Sequence, residues 1–184
     1  MTTFAIRTLK PNVTEKEAMR TFSASGVSAF VWRMRSGRLQ KIAAAYVPFR
    51  FYRVRYEVGR TPCTRLFALD AVDGSLDLFE FPRVPNDREI LSVASRNRLT
   101  PALSEDRAVE LLREKVLRIV FQQGFFKLRE PRLDITREHC EIYLPYWLGF
   151  YGGGETARCR VLDAVRRRIE GAKASAFFEQ WLAA

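Results

Sequence analysis

Between residues 52 and 58 apolar and polar side chains alternate. Tyr52, Val54, Tyr56 and Val58 point one way, and Arg53, Arg55 and Glu57 the other. A period of two predicts a strand with one buried and one wet face. A turn over 59–64, a strand over 66–72, a tight Asp73-Gly74 turn and a returning strand over 76–81 follow, stopped by Pro82 and Pro85. A helical period takes over after Ser104. Ala108, Leu111, Leu112, Val116, Ile119 and Val120 form one apolar stripe, with Glu105 and Asp106 in the first turn and Gly124 beyond the end. A shorter helix is predicted from Thr14. Glu17 stands at the capping-box offset, Ala18, Met19 and Phe22 make the apolar side, and Gly26 ends it. Short apolar runs at 29–34 and 125–128 read as strands, and longer ones at 142–151 and 159–165 likewise. Gly152, Gly153 and Gly154 form the turn between the longer two. Ala174, Phe177, Phe178, Trp181 and Leu182 mark a C-terminal amphipathic helix. Residues 1–13 are expected to be an arm, and the polar stretch 82–103 a linker or loop.

Two segments repeat the same parts in the same order. Tyr46-Val47-Pro48-Phe49 leads to Leu69-Asp70-Ala71-Val72, and Tyr143-Leu144-Pro145-Tyr146 leads to Leu162-Asp163-Ala164-Val165. The pattern predicts an α+β fold of two tandem copies, each a helix packed on an antiparallel β-sheet, plus the C-terminal helix. The blocks are 14–81 and 104–184, separated by 82–103, with their sheets either apart or merged into one curved sheet. Pro48 and Pro145 each lack a ladder donor, so each is expected at a strand start, an edge or a bulge.

The order helix, strand, strand and the run from Leu69 through Asp73-Gly74-Ser75-Leu76 resemble a PepSY-type or cystatin-like unit, which often ends in a similar Asp-containing hairpin. The second copy departs from this, with Arg166, Arg167 and Arg168 in place of the Asp-Gly turn. The resemblance implies a small non-catalytic binding or inhibitory module, often found outside the cytoplasm, and brings no catalytic residues.

The 184 residues carry 31 Lys and Arg against 21 Asp and Glu, a formal charge of +10. The excess favours an anionic partner: nucleic acid, a membrane surface or an acidic protein. Solvated arginine-rich faces are the preferred account, because no nucleic-acid motif accompanies the charge. The three cysteines, Cys63, Cys140 and Cys159, have no metal-ligand spacing, and no disulfide framework is expected. No run approaches the ~20 apolar residues of a membrane span, and the first residues lack the apolar core of a signal peptide, so a cytoplasmic location is expected. No cofactor or metal is predicted.

The aromatic and arginine residues of the two Tyr-x-Pro strands are the leading site candidates: Tyr46, Arg50 and Tyr52, with Tyr143, Trp147 and Tyr151. On a sheet surface they suit a groove for a peptide, a small apolar ligand or an acidic protein; nucleic-acid bases are a less favoured occupant. A core with arginines stacked over it is the first account of the aromatics, the groove the second and nucleic acid the third. Arg158, Arg160, Arg166, Arg167 and Arg168 form a candidate anion patch. Chemistry requires more. Asp70 with Asp163, or His139 with Cys159, are the pairs an enzyme of hydrolase type would use, although an aspartate before a hairpin more often accepts backbone N–H groups. The reading is a non-enzymatic binding or interaction module, with the small enzyme and the nucleic-acid binder as alternatives. A homodimer stays open.

Overall fold

The computed structural model describes residues 4–23, 37–58, 61–122, 132–152 and 158–183. The short strands expected at 29–34 and 125–128 lie outside them, as do Gly153 and Gly154. The fold is α+β. In chain order it contains β1 (Phe4–Leu9), α1 (Glu15–Ser23), β2 (Leu39–Val58), β3 (Thr61–Asp70), β4 (Phe79–Phe81), a 3-10 turn (Asp87–Glu89), β5 (Ile90–Ser95), α2 (Glu105–Gln122), β6 (Asp134–Tyr151), β7 (Arg158–Asp163), β8 (Arg168–Ile169) and α3 (Ala172–Ala183). Three strands were missed in sequence, the two-residue β8 and a pair of six residues each. The expected arm contains β1 and the expected linker contains β5, and the two pair antiparallel from Phe4↔Ser95 to Leu9↔Ile90. Each is only six residues long and neither alternates cleanly, so periodicity gives no signal.

The long strands β2 and β6 are neighbours in the sheet. Arg50 reaches Glu141 and Arg53 reaches Glu138, so a step forward along one strand is matched by a step back along the other, as antiparallel pairing requires. Both strands run through two compact units. The first unit takes residues 1–47, 87–99 and 143–184, and the second takes 48–86 and 100–142. Each unit therefore draws on both of the blocks read from the sequence, because neither strand ends where a block would need it to.

Pro48 and Pro145 sit inside these strands rather than at their starts. Before Pro48, Tyr46 is bridged in parallel to Arg98; after it, Phe49 opens the antiparallel ladder with β3. Before Pro145, Tyr143 is bridged in parallel to Thr8; after it, Tyr146 opens the ladder with β7. Each proline stands where one edge of the strand changes partner, so the missing N–H leaves no gap in a ladder.

In the second unit α2 lays Ala108, Leu112, Val116 and Val120 over Tyr52, Val54 and Tyr56 of β2 and Phe67 and Leu69 of β3. Of the predicted stripe, Leu111 and Ile119 pack at its margin. Gly74, at φ +71°, makes the tight turn after β3; a Cβ there would stand 2.5 Å from Leu111 Cδ1. In the first unit α1 begins with the predicted capping box. Thr14 N–H donates to Glu17 Oε2 (2.8 Å) and Glu17 N–H to Thr14 Oγ1 (3.3 Å), and the Thr14 N–H together with the Thr14 hydroxyl (2.8 Å) holds the Glu17 carboxyl below its usual range. Ala18 and Phe22 face Tyr151 of β6 and Leu162 of β7. On α3, Phe178 meets Tyr146 at 5.4 Å between ring centroids and Phe177 at 5.1 Å.

The contacts of the two helices match position by position. The N–H of Asn12, two residues before the Thr14 cap, donates to Ala164 O (2.7 Å). The N–H of Ala102, two residues before Ser104, donates to Ala71 O (2.9 Å). Val13 O accepts from Trp147 Nε1 (2.9 Å), and Leu103 O accepts from Arg50 Nη1 (2.7 Å). Trp147 and Arg50 each stand two residues after the strand proline. The helix from the first half of the chain thus packs on strands from the second half, and the helix from the second half on strands from the first.

At Gly149 the Phe22 ring of α1 packs directly against the β6 backbone. A Cβ there would lie 3.0 Å from Phe22 Cδ2 and Cγ. Gly149→Ala is expected to destabilise the protein by about 1–3 kcal/mol through overpacking. In the Phe22→Leu background the added cost is expected to shrink, a coupling that a double-mutant cycle in urea measures.

Candidate functional site

The aromatic and arginine set divides by burial. Tyr52 of β2 and Tyr143 and Tyr151 of β6 are buried. Tyr151 OH donates to Phe22 O (2.8 Å), and burial beside Glu105 pushes the Tyr52 phenol up to about 12. Tyr46 is half-buried. Its N–H donates to Asn97 O and its carbonyl accepts from Leu99, both at 2.9 Å. Trp147 is half-buried against the α1 core, with its one donor spent on Val13. Arg50 is 14% exposed and holds Leu103 O, Glu141 (3.3 Å) and Glu105 (3.8 Å). The expected sheet-surface groove is therefore corrected at these positions. Tyr52 lies in the core under α2 and Tyr151 in the core under α1, and the arginine anchors the loop that enters α2.

The candidate anion patch is partly neutralised by its own neighbours. Arg167, at φ 60°, reaches Glu17 (3.3 Å), and Arg168 reaches Glu170 (2.9 Å). Arg166 Nε stands 3.8 Å from Asp163 Oδ2, and burial lowers the arginine's pKa. Arg160 is half-buried on β7, and Arg158 at its start is exposed.

Asp70 and Asp163 end β3 and β7 at matching register, Asp70 opposite Phe49 and Asp163 opposite Tyr146. Both are buried. Asp70 Oδ1 accepts from the N–H groups of Val72 (3.3 Å), Asp73 (3.1 Å) and Gly74 (2.8 Å), and its Oδ2 accepts from Leu76 (2.9 Å). Asp163 Oδ1 accepts from Val165 and Arg166, both at 2.8 Å. Its Oδ2 is buried and accepts no hydrogen bond among the described residues. Burial raises both carboxyls above the ordinary 3.8, against the opposing pull of these backbone donors. Lone pairs committed to backbone N–H groups fix a turn and leave Asp70 no oxygen for a substrate.

The other proposed pair has no activated nucleophile. The Cys159 thiol is buried and pushed up to about 12, first by burial and then by Glu179, whereas a working thiolate needs a lowered value. His139 is exposed on β6. Among the described residues no group of three or more His, Cys, Asp or Glu is placed to hold a metal, and no helix is long and apolar enough to cross a membrane.

What sequence reasoning missed is the β1–β5 ladder. It carries two of the exposed large apolar side chains, Phe4 and Leu91. The only sequence signal was the run Ile90-Leu91-Ser92-Val93-Ala94 inside an otherwise polar stretch. Compared with known proteins, the chain matches no family model, and no curated protein or solved structure matches it.

The two aspartates separate in a mutational test. Asp70→Asn loses charge-assisted bonds and turns an amide toward backbone donors; a loss of about 2–3 kcal/mol is expected. Asp163→Asn keeps the Oδ1 acceptor and is expected to cost less. The pH sign follows from the raised values. In the window between 3.8 and the higher folded value the native state holds the extra proton, so these carboxyls add stability as pH falls through it and cost stability above it. Urea midpoints measured down that window are expected to show a smaller favourable term in Asp163→Asn than in wild type.

Proposed function

We propose that this chain is an internally duplicated, non-enzymatic binding module whose contact surface lies on the first unit and whose partner is an acidic protein surface. The observation that carries this reading is the distribution of charge. The first unit has 17 Lys and Arg against 8 Asp and Glu, and the second has 14 against 13. In the second unit Arg53 pairs with Glu138 (2.6 Å), Arg137 with Glu105 (2.8 Å), Arg107 with Glu110 (2.9 Å) and Arg65 with Glu80 (3.4 Å), and the exposed Arg55, Arg113, Arg118 and Arg132 stand in a unit of nearly balanced charge. In the first unit Lys10, Lys16, Arg20, Arg38, Arg158 and Lys173 are exposed, with no carboxylate partner among the described residues. Such a field steers an anionic partner and speeds its encounter.

The duplication is supported by the matched helix contacts, the matched prolines and the matched aspartates. The likeness of the Leu69–Leu76 run to PepSY-type units supports a small binding module. Against the enzyme stand the committed lone pairs of Asp70 and the raised Cys159 thiol. A base-stacking surface needs exposed rings, and Tyr52, Tyr143 and Tyr151 of the long strands are buried, which favours an acidic protein over a nucleic acid.

The test is fluorescence anisotropy of a labelled polyglutamate peptide titrated with the full chain at about 50 and about 200 mM salt. Binding is expected at low salt and should weaken steeply at the higher. Lys10→Glu, Arg20→Glu and Arg158→Glu combined are expected to weaken it by about tenfold or more, whereas Arg113→Glu, Arg118→Glu and Arg132→Glu in the second unit should change it by about twofold or less. Absent binding at low salt, or equal effects of the two triple variants, would sink the reading. A single-stranded oligonucleotide that binds more tightly than polyglutamate would move it to nucleic acid.

A further inference from the structure

Two halves of the chain, 1–99 and 100–184, meet at Thr100, which is exposed. Each compact unit takes a piece of both halves. The matched helix contacts all join one half to the other. Helix α1 lies on β6 and β7, and α2 lies on β2 and β3. On either side of the Thr100–Pro101 link the chain is fixed, with Leu99 N–H donating to Tyr46 O and Ala102 N–H to Ala71 O, both at 2.9 Å.

The matched positions hold different side chains, and the differences are reciprocal. Phe22 stands eight residues after the Thr14 cap, and Leu112 eight after Ser104. Gly149 and Tyr52 each stand four residues after the strand proline. The larger helix side chain meets the glycine, where a Cβ would lie 3.0 Å from the Phe22 ring. The smaller one, Leu112, shares a core with the tyrosine, and both are fully buried. If a half met its own kind, Phe22 would fall on Tyr52 and Leu112 on Gly149. The first pairing overpacks and the second leaves a cavity. The long strands repeat this in charge. Arg53 and Phe150 each stand five residues after the proline, and Lys41 and Glu138 each seven before it. Arg53 reaches Glu138 (2.6 Å), and Lys41 Nζ lies 5.3 Å from the centre of the Phe150 ring. Like halves would set Arg53 against Lys41, two cations, and Phe150 against Glu138, a carboxylate on the negative face of a ring.

We infer that residues 1–99 and 100–184 are heterologous binding partners: each half takes up the other, rejects its own kind, and stays bound without the peptide bond that links them. Side-chain size sets the choice where helix meets strand, at Phe22 with Gly149 and at Leu112 with Tyr52. Charge sets it between the long strands, at Arg53 with Glu138 and at Lys41 with Phe150. Specificity is a difference between two pairings, and here the rejected pairing is penalised at both places. This pairing holds whichever partner the basic surface of the first unit takes.

The experiment uses the full chain with a protease recognition sequence inserted between Thr100 and Pro101, purified folded and then cut. The cut protein is expected to elute as one complex at the size of the intact chain, with a thermal midpoint that now falls on dilution. Unfolded in urea, refolded and read by native mass spectrometry, it is expected to give pairs of unlike halves in at least about tenfold excess over pairs of like halves. Tyr52→Gly with Lys41→Glu gives the first half the side chains that the second half presents at those two positions. In that variant, pairs of two first halves are expected to rise about tenfold. Where the double variant does not refold, Lys41→Glu alone, at an exposed position, carries the same test with a smaller rise. Cut halves that separate in native buffer at micromolar concentration overturn the inference. So do like pairs as abundant as unlike ones in the wild type, or like pairs that neither variant increases.

Discussion

Each unit depends on a buried aspartate at the end of a strand. Asp70 gathers four backbone N–H groups and closes the turn after β3, which fixes the next carbonyl, Ala71 O, as an acceptor. Ala102 and Leu103 donate to that carbonyl, and α2 starts one residue after Ser104. In the first unit the order is the same: Asp163 closes the turn, Ala164 O accepts from Asn12, and α1 follows Thr14. A helix from one half of the chain is thereby hung on a turn from the other half. Burying an ionised carboxylate is costly, and both carboxyls are raised accordingly; the cost is tolerated because backbone donors that would otherwise be buried without partners find one there. The second copy is less complete. Asp163 Oδ2 has no counterpart among the described residues to the Leu76 N–H that completes Asp70, although Gly74 (φ 71°) and Arg167 (φ 60°) stand at the same offset from their aspartates.

How much of this could be read from the chain follows from which patterns are local. The helices were legible because caps and stripes are written within one segment. Thr14 with Glu17, and Ser104 ahead of Ala108, Leu112, Val116 and Val120, behave as their spacing says. The shared Leu-Asp-Ala-Val was legible, and so was a turn-fixing role for its aspartate. Which strand each helix covers was not, because Phe22 and Gly149 are far apart in sequence and nothing in either segment names the other. The same ignorance made the tyrosines look like a surface. Alternation says that Tyr52 and Tyr56 share a face; it does not say that α2 lies over it. The edge strands β1 and β5 were lost for a different reason. Six residues that pair only with each other carry too little periodicity to stand out from a polar linker.

The matched positions also differ in the charge they carry. Arg50 and Trp147 occupy the same place after the strand proline and give a donor to the same carbonyl before the helix cap. The guanidinium brings a charge with it, and Glu141 and Glu105 gather around it. The indole does the same anchoring with no charge and packs against Leu162 and Ala164 instead. One structural position thus carries a charged anchor that draws two carboxylates in the second unit and a neutral anchor that packs into the core in the first.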